Sequence, residues 1–278
     1  MKKITFALVL FFIVNAGLSA LEVNKSELQS TDDTTIEFIN YTGPHKIINS
    51  ISDIKGIGSA LGVIMSENTQ NGQTTGSANK YLVVHAVDPE ETGKLDADIL
   101  FIGQDAEVDH ITNLRRIISA YLSSAYGYSE ADADTLSVFI TVYNAVYRGK
   151  LDSYQAKYKN VVQKNLTSNC GLSVNYKDWP GQSEIVIPLY DVKDGGLSTI
   201  DTSVISDSKV VSSMKEDDDM NIESRKEMVD IKEREAEEAE EKAKTAQKTA
   251  VEEQKKAKEE KQKTEEVKKE AVIAQKEA

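Results

Sequence analysis

AEVDHITNLRRIISAYLSSAYGYSEADADTLSVFITVYNAVY, residues 106–147, is the stretch that decides the fold. Its first half carries apolar residues at three- and four-residue steps, which predicts an amphipathic helix that ends at Gly127. Ser129 with Asp132 three residues later is typical of a helix start, as a variant of the capping box. Residues 136–147 are apolar on nearly every side, so we predict that this second helix lies at the centre of the fold.

Short runs of β-branched and aromatic residues flank this helix pair. They predict strands over 34–41, 81–87, 99–102 and 184–190. Apolar residues at helical spacing predict helices over the first half of 47–64 and over 151–166. The third strand is apolar throughout, as an interior strand is, and Pro188 marks the last one as an edge or a strand end. The order of elements indicates an α/β (α+β) fold in which a small mixed sheet packs against the central helix pair.

Composition divides the chain into four parts. Residues 1–20 have two lysines, an apolar run and small residues up to Ala20, which predicts a signal peptide. We expect a globular head over 21–190, a flexible acidic linker over 191–221, and a charged helix or coiled coil over 222–278. The mature chain is expected to have no transmembrane span and to be exported, to the periplasm, the envelope, the cell surface or the extracellular medium.

The tail is the expected contact for a protein partner. It contains almost only Glu, Lys, Ala and Gln, and its heptad seam is alanine interrupted by charge. Such a seam buries little area, so a solvated single helix is favoured over a stable coiled coil, and oligomer formation has little support. The formal net charge of -13 argues against a nucleic-acid partner.

Three other features predict no cofactor and no metal. The glycines of 56–62 follow a helix-like segment instead of a strand, so we interpret them as a tight turn and not as a dinucleotide-binding loop. The three histidines and the acidic residues of 88–98 lack metal-ligand spacing. Cys170 is the single cysteine, so no intramolecular disulfide can form, and we expect it to be a small buried residue.

Two segments of the helix pair carry a family resemblance. Asn113-Leu114-Arg115-Arg116-Ile117 and ITVYNAVYRG, residues 140–149, resemble the spirochaetal 83/100-kDa antigen family, as do Trp179-x-Gly181 and the IxIPL motif over 185–189. The resemblance covers about residues 1–190. It implies an exported head followed by a charged, coiled-coil-like region, and a family known for antigenicity that supplies no catalytic residues.

The polar residues of the matching segments are the candidate interaction or cleft residues: Asn113, Arg115, Arg116, Asn144, Arg148 and Trp179. Capping and hydrogen bonds between helices are the alternative roles. A polar stripe on the second helix, Ser137, Thr141, Asn144 and Arg148, either lines a cleft or forms a seam between helices. We assign no catalytic, cofactor-binding or metal-binding residue.

Two functions remain open on the sequence. The first is an exported, envelope-associated antigen of unknown biochemical activity, with a structural or partner-binding head on a helical spacer. The second is a hydrolase or a small-ligand-binding head that uses the loop over 66–79 or the loop over 88–98 as a lid. The second function predicts a deep pocket with convergent polar groups near those loops.

Overall fold

The computed structural model of the chain describes residues 35–43, 50–67, 74–77, 80–190, 198–214 and 219–277. The predicted signal peptide lies outside these residues. The chain divides into two compact units: Val23–Lys232, which we call the head, and a second unit containing Glu233–Ala278, which we call the arm. Among the described helices, none has the length and apolar character required to cross a membrane.

The head contains all four strands and most of the helices of the described chain. In chain order they are α1 (Ile51–Glu67), β1 (Thr74–Ser77), β2 (Tyr81–Ala86), β3 (Asp96–Ile102), α2 (Ile111–Tyr126), α3 (Glu130–Val146), α4 (Leu151–Lys157), α5 (Asn160–Gln163), β4 (Ser183–Leu189), α6 (Thr202–Ile205) and α7 (Ser208–Ser213). Helix α8 (Asp219–Glu277) begins in the head and contains the described residues of the arm. The predicted mixed α/β fold is confirmed.

The sheet has the order β1-β2-β3-β4. Leu100 of β3 pairs with Val83 of β2 on one side and with Ile185 of β4 on the other. The predictions of an interior strand over 99–102 and of an edge at Pro188 are therefore confirmed. All three strand pairs are antiparallel, so the prediction of a mixed sheet was wrong. The connections from β1 to β2 and from β2 to β3 are too short for the crossover that a parallel pair needs.

Helices α2 and α3 follow the local signals in their sequence. Gly127 ends α2 in the left-handed conformation, with φ 74°, and its N–H donates to the Ser123 carbonyl. Ser129 begins α3 by accepting a hydrogen bond from the Asp132 N–H. Every residue of α3 from 135 to 145 is buried, which confirms its predicted place at the centre of the fold.

The glycines of 56–62 form no turn, because α1 runs through them without interruption. A Cβ atom on Gly58 would overlap the carbonyl oxygen of Ile117 in α2, and one on Gly62 would lie 2.7 Å from the Cβ of Ser124. The predicted turn was wrong because two of these glycines allow α1 and α2 to approach closely, which no larger residue would permit.

Two predicted elements are also corrected. No strand spans 34–41 in the described residues 35–41, since Ile36, Ile39 and Tyr41 donate their N–H groups to three different parts of the head. The helix predicted over 151–166 is divided into α4 and α5. It breaks at Tyr158, where the N–H groups of Leu95 and Lys159 bond across an isolated bridge.

The region predicted as a linker contributes to the core. Within the described residues 198–214, the side chains of Ile200, Ile205, Val210 and Val211 are fully buried. Asp201 and Asp207, which the composition suggested were part of an acidic linker, cap the N-termini of α6 and α7. The head therefore extends beyond the boundary predicted at residue 190.

We expect the glycines of α1 to differ sharply in their tolerance of alanine. Gly58→Ala should lower the free energy of unfolding by about 2 kcal/mol, because the added methyl group must displace the α2 backbone. Gly56→Ala is the matched control, since its Cβ would meet no atom within 4 Å, and it should raise stability by about 0.5 kcal/mol. Urea unfolding followed by circular dichroism measures both, and equal shifts in the two variants would contradict the close approach of the helices.

Candidate functional site

A pocket of about 360 Å³ lies between helices α2, α3 and α8 of the head. Its lining residues are Thr112, Arg115 and Arg116 from α2, Ala131, Asp134, Thr135, Ser137 and Val138 from α3, and Glu223, Ser224 and Glu227 from α8. The volume lies at the lower end of the range of small-molecule sites, about 300–1,000 Å³. Two predicted residues, Arg115 and Arg116, are part of this pocket.

Arg115 is held in place by contacts on both sides of its guanidinium. Its Nε donates to the hydroxyl of Thr141 at 3.0 Å, and Thr141 in turn donates to the Val138 carbonyl at 2.8 Å. The guanidinium carbon lies 5.7 Å from the centre of the Phe38 ring, within the range of a cation–π contact. The residue is only 9% exposed, so it is a fixed part of the pocket wall.

Arg116 is oriented by another predicted residue. Its Nη1 donates to the side-chain oxygen of Asn113 at 2.9 Å. The two residues are three positions apart in the first turns of α2, where side chains lie on one face of a helix. Arg115 and Arg116 thus lie at one wall of the pocket, and Asn113, outside the lining, holds Arg116 in place.

Carboxylates from two other helices complete the pocket. Asp134 accepts a hydrogen bond from the Ser119 hydroxyl at 2.5 Å. Glu223 and Glu227 lie one helical turn apart in α8, within the part of that helix that belongs to the head. With the two arginines, these three carboxylates give the described part of the lining a formal charge of -1. Nothing in the sequence distinguishes the three, because the glutamates resemble many others in the arm and Asp134 lies in an acidic helix start.

Asn144 has a structural role in the core. Its Oδ1 accepts from the Val186 N–H at 2.8 Å, and its Nδ2 donates to the carbonyls of Val186 at 2.9 Å and Ile140 at 2.8 Å. The side chain is fully buried. It therefore joins α3 to the outer edge of β4, and it does not line the pocket.

Arg148 and Trp179 also hold loops in place. Arg148 donates through Nη1 to the carbonyls of Asn169 and Gly171, the second at 3.0 Å. Trp179 is fully buried, and its indole N–H donates to the Ser173 carbonyl at 2.7 Å. The pocket lining includes neither residue.

The acidic loop over 88–98 is tied to the head by its own carboxylates. Lys159 is fully buried, and its Nζ lies 2.8 Å from Asp96 Oδ2 and 2.7 Å from the Asp88 carbonyl. Glu91 accepts from the Asn160 N–H at 2.8 Å. In the residues that the structure describes, no group of three His, Cys, Asp or Glu side chains could hold a metal ion.

A second buried cluster surrounds Asp98. Its Oδ1 lies 2.6 Å from Nδ1 of His85, and its Oδ2 accepts from the hydroxyls of Tyr121, at 2.5 Å, and Tyr126. Burial, followed by the nearby Asp98 charge, raises the pKa of both tyrosines well above the ordinary value of 10.0. These groups lie inside the head and outside the pocket lining.

Comparison with known proteins gives a match to a protein family. The family model described as Borrelia P83/100 protein matches residues 25–278 of the chain. No curated protein and no solved structure matches it.

We expect substitution of the predicted residues to separate structural roles from pocket roles. Asn144→Ala leaves buried backbone groups of Val186 without their side-chain partner, each of which costs about 1–3 kcal/mol, so unfolding should become easier by about 3 kcal/mol. Asn113→Ala, at a half-buried position beside Arg116, should change stability by less than about 1 kcal/mol. Urea unfolding of both variants measures the difference, and a small effect of Asn144→Ala would contradict its role in joining α3 to β4.

We expect the head to lose stability in alkaline solution. The folded state raises the pKa of Tyr121 and Tyr126, so it holds their protons more tightly than the unfolded chain does. This contribution to stability is fully present below about pH 10 and falls as the pH rises above that value. The melting temperature and the phenolate absorbance, followed from about pH 9 to about pH 12, should show tyrosine ionisation together with unfolding. Ionisation of every tyrosine while the head stays folded would contradict this expectation.

Proposed function

The chain belongs to the Borrelia P83/100 protein family, and from this premise we propose that it is an exported, envelope-associated antigen whose head holds a charged helical arm for contact with a protein partner. The observation that carries the proposal is the burial of Met228, Ile231 and Lys232 of α8 in the head, while the described charged side chains from residue 237 onward are exposed.

The first turns of α8 are anchored by apolar and polar contacts. Met228 and Ile231 are 0% and 3% exposed, and Arg225 is also buried. Lys232 is buried as well, with its Nζ 3.3 Å from the Ser206 hydroxyl that follows α6. Burying two large apolar side chains stabilises this attachment by about 3–6 kcal/mol relative to leaving them in water.

The arm has a different surface. Two pairs of the i,i+4 type, Glu238 with Lys242 and Glu240 with Lys244, lie on the helix surface with side chains 61–80% exposed. Such pairs stabilise a helix by only about 0.3–0.5 kcal/mol each. Val251 is 60% exposed. Ion pairs within the helix stabilise the arm, and its charged and apolar side chains are accessible to a partner. These properties suit an interaction arm.

The type of partner follows from charge. The formal net charge of -13 repels nucleic acid and anionic lipid surfaces, which leaves protein as the favoured partner. Lys2, Lys3 and the apolar run that follows support export. The proposal allows either the periplasm or the cell surface as the location of the exported protein.

The alternative of a head with a loop as lid receives less support. The pocket lies between α2, α3 and α8, whereas that function requires one beside residues 66–79 or 88–98. Lys159 and the N–H of Asn160 hold the carboxylates of the second loop. Part of the first loop lies outside the described residues, and 74–77 forms strand β1.

Photo-crosslinking in intact cells tests the proposed arm. A photo-reactive residue replaces Val251, which is exposed on the arm, or Leu82, a control that is 36% exposed on the head. We expect irradiation to join the Val251 variant to a second protein of defined mass and to leave the Leu82 variant without that product. A product of twice the mass of the chain would identify the partner as a second copy and the arm as a coiled coil. Absence of a product at Val251, or identical products at both positions, would contradict the proposal.

A further inference from the structure

We propose that the pocket between α2, α3 and α8 binds a basic α-amino acid, with the carboxylate of the ligand at Arg116 and its cationic side chain at Glu223 and Glu227. This inference goes beyond the role of the arm and is independent of it, because it assigns a small-molecule ligand to the head itself.

The charges of the pocket select the class of ligand. Among the described residues, the lining holds two guanidinium groups and three carboxylates, so their formal charge is -1 and both signs are present. A ligand that complements such a lining carries both signs and a net charge of +1. Free arginine and free lysine meet this requirement, since each has one carboxylate and two cationic groups near neutral pH.

The available charges lie on opposite helices. Arg115 is already engaged by Thr141 and Phe38, which leaves Arg116, oriented by Asn113, as the more accessible cation. In the described part of the chain, the carboxylates of Glu223 and Glu227 form no hydrogen bond or ion pair. A guanidinium with several N–H donors on one wall and two carboxylates on another match the two ends of a basic amino acid.

The two glutamates of the pocket stand one helical turn apart on α8. Four residues after Glu223 stands Glu227, and two like charges at this spacing disfavour a helix slightly. A cationic group of a ligand between the two carboxylates removes that repulsion.

The size and walls of the pocket fit the rest of the ligand. A volume of about 360 Å³ accommodates a molecule of amino-acid size. Ala131 and Val138 offer apolar surface to the methylene groups of a lysine or arginine stem. The hydroxyls of Thr112 and Ser137 supply further hydrogen-bonding groups.

Isothermal titration of the full chain with L-arginine and L-lysine tests the proposal. We expect saturable binding with one site per chain, and no comparable binding of L-glutamate, which has the opposite net charge, or of cadaverine, which lacks the carboxylate. Arg116→Gln should weaken binding by about tenfold or more, as should the double variant Glu223→Gln/Glu227→Gln, because each removes a charged hydrogen-bonding partner. Glu237→Gln, an exposed site on the same helix outside the pocket lining, is the matched control and should bind as the unmodified chain does.

The circular dichroism spectrum and melting temperature establish that each variant is folded before titration. If Arg116→Gln does not fold, the glutamate variant decides the question, since Glu223 is exposed and Glu227 is half-buried. The proposal is overturned if neither basic amino acid binds the unmodified chain, if both pocket variants bind as tightly as the Glu237→Gln control, or if L-glutamate binds equally well.

Discussion

The head depends on one side chain that completes an edge of its sheet. Strand β4 is the outer strand next to β3, and an uncovered edge presents backbone groups that must find partners. Asn144 supplies both a donor and an acceptor to Val186, as a neighbouring strand would. The N–H of Gly171 donates to the backbone carbonyl of Glu184, and the N–H of Asp201 donates to the carbonyl of Pro188. Pro188 itself has no N–H that requires a partner. The edge is thus closed by the central helix and by the segments before and after β4.

Two buried aspartates fix the register of the interior strand. Asp96 and Asp98 lie two residues apart in β3 and so point to the same face of the sheet. Each finds its partners in a specific place: Lys159 for Asp96, and His85 with two tyrosines for Asp98. Buried ion pairs of this kind add little net stability, whereas leaving one charge unpaired costs about 3–5 kcal/mol. A shift of β3 along its neighbours would incur that cost. The charged pairs therefore determine the register of β3, although they add little to the free energy of unfolding.

The sequence was sufficient where the determining interactions are local. The ends of α2 and α3 follow from Gly127 and Ser129, whose caps involve residues only three or four positions away. It was insufficient where a distant contact decides. Gly58 is needed within α1 because α2 passes close to it, and Val210 is buried because α7 packs onto the head. Neither contact leaves a trace in the nearby sequence.

The candidate site shows the same limit for polar residues. Asn144 and Arg115 both stood out as polar groups on apolar helices, and both are buried, yet one completes the sheet and the other lines a pocket. The two residues differ in which hydrogen-bonding groups would be left without a partner if the side chain were removed. Removing Asn144 leaves backbone groups of β4 without partners, so the fold itself requires it. Glu223 and Glu227 differ from both, because in the described chain their carboxylates accept no hydrogen bond and form no ion pair. The fold does not require these two side chains, so the proposed ligand gives them the kind of partner that the buried Asp96 and Asp98 find within the head.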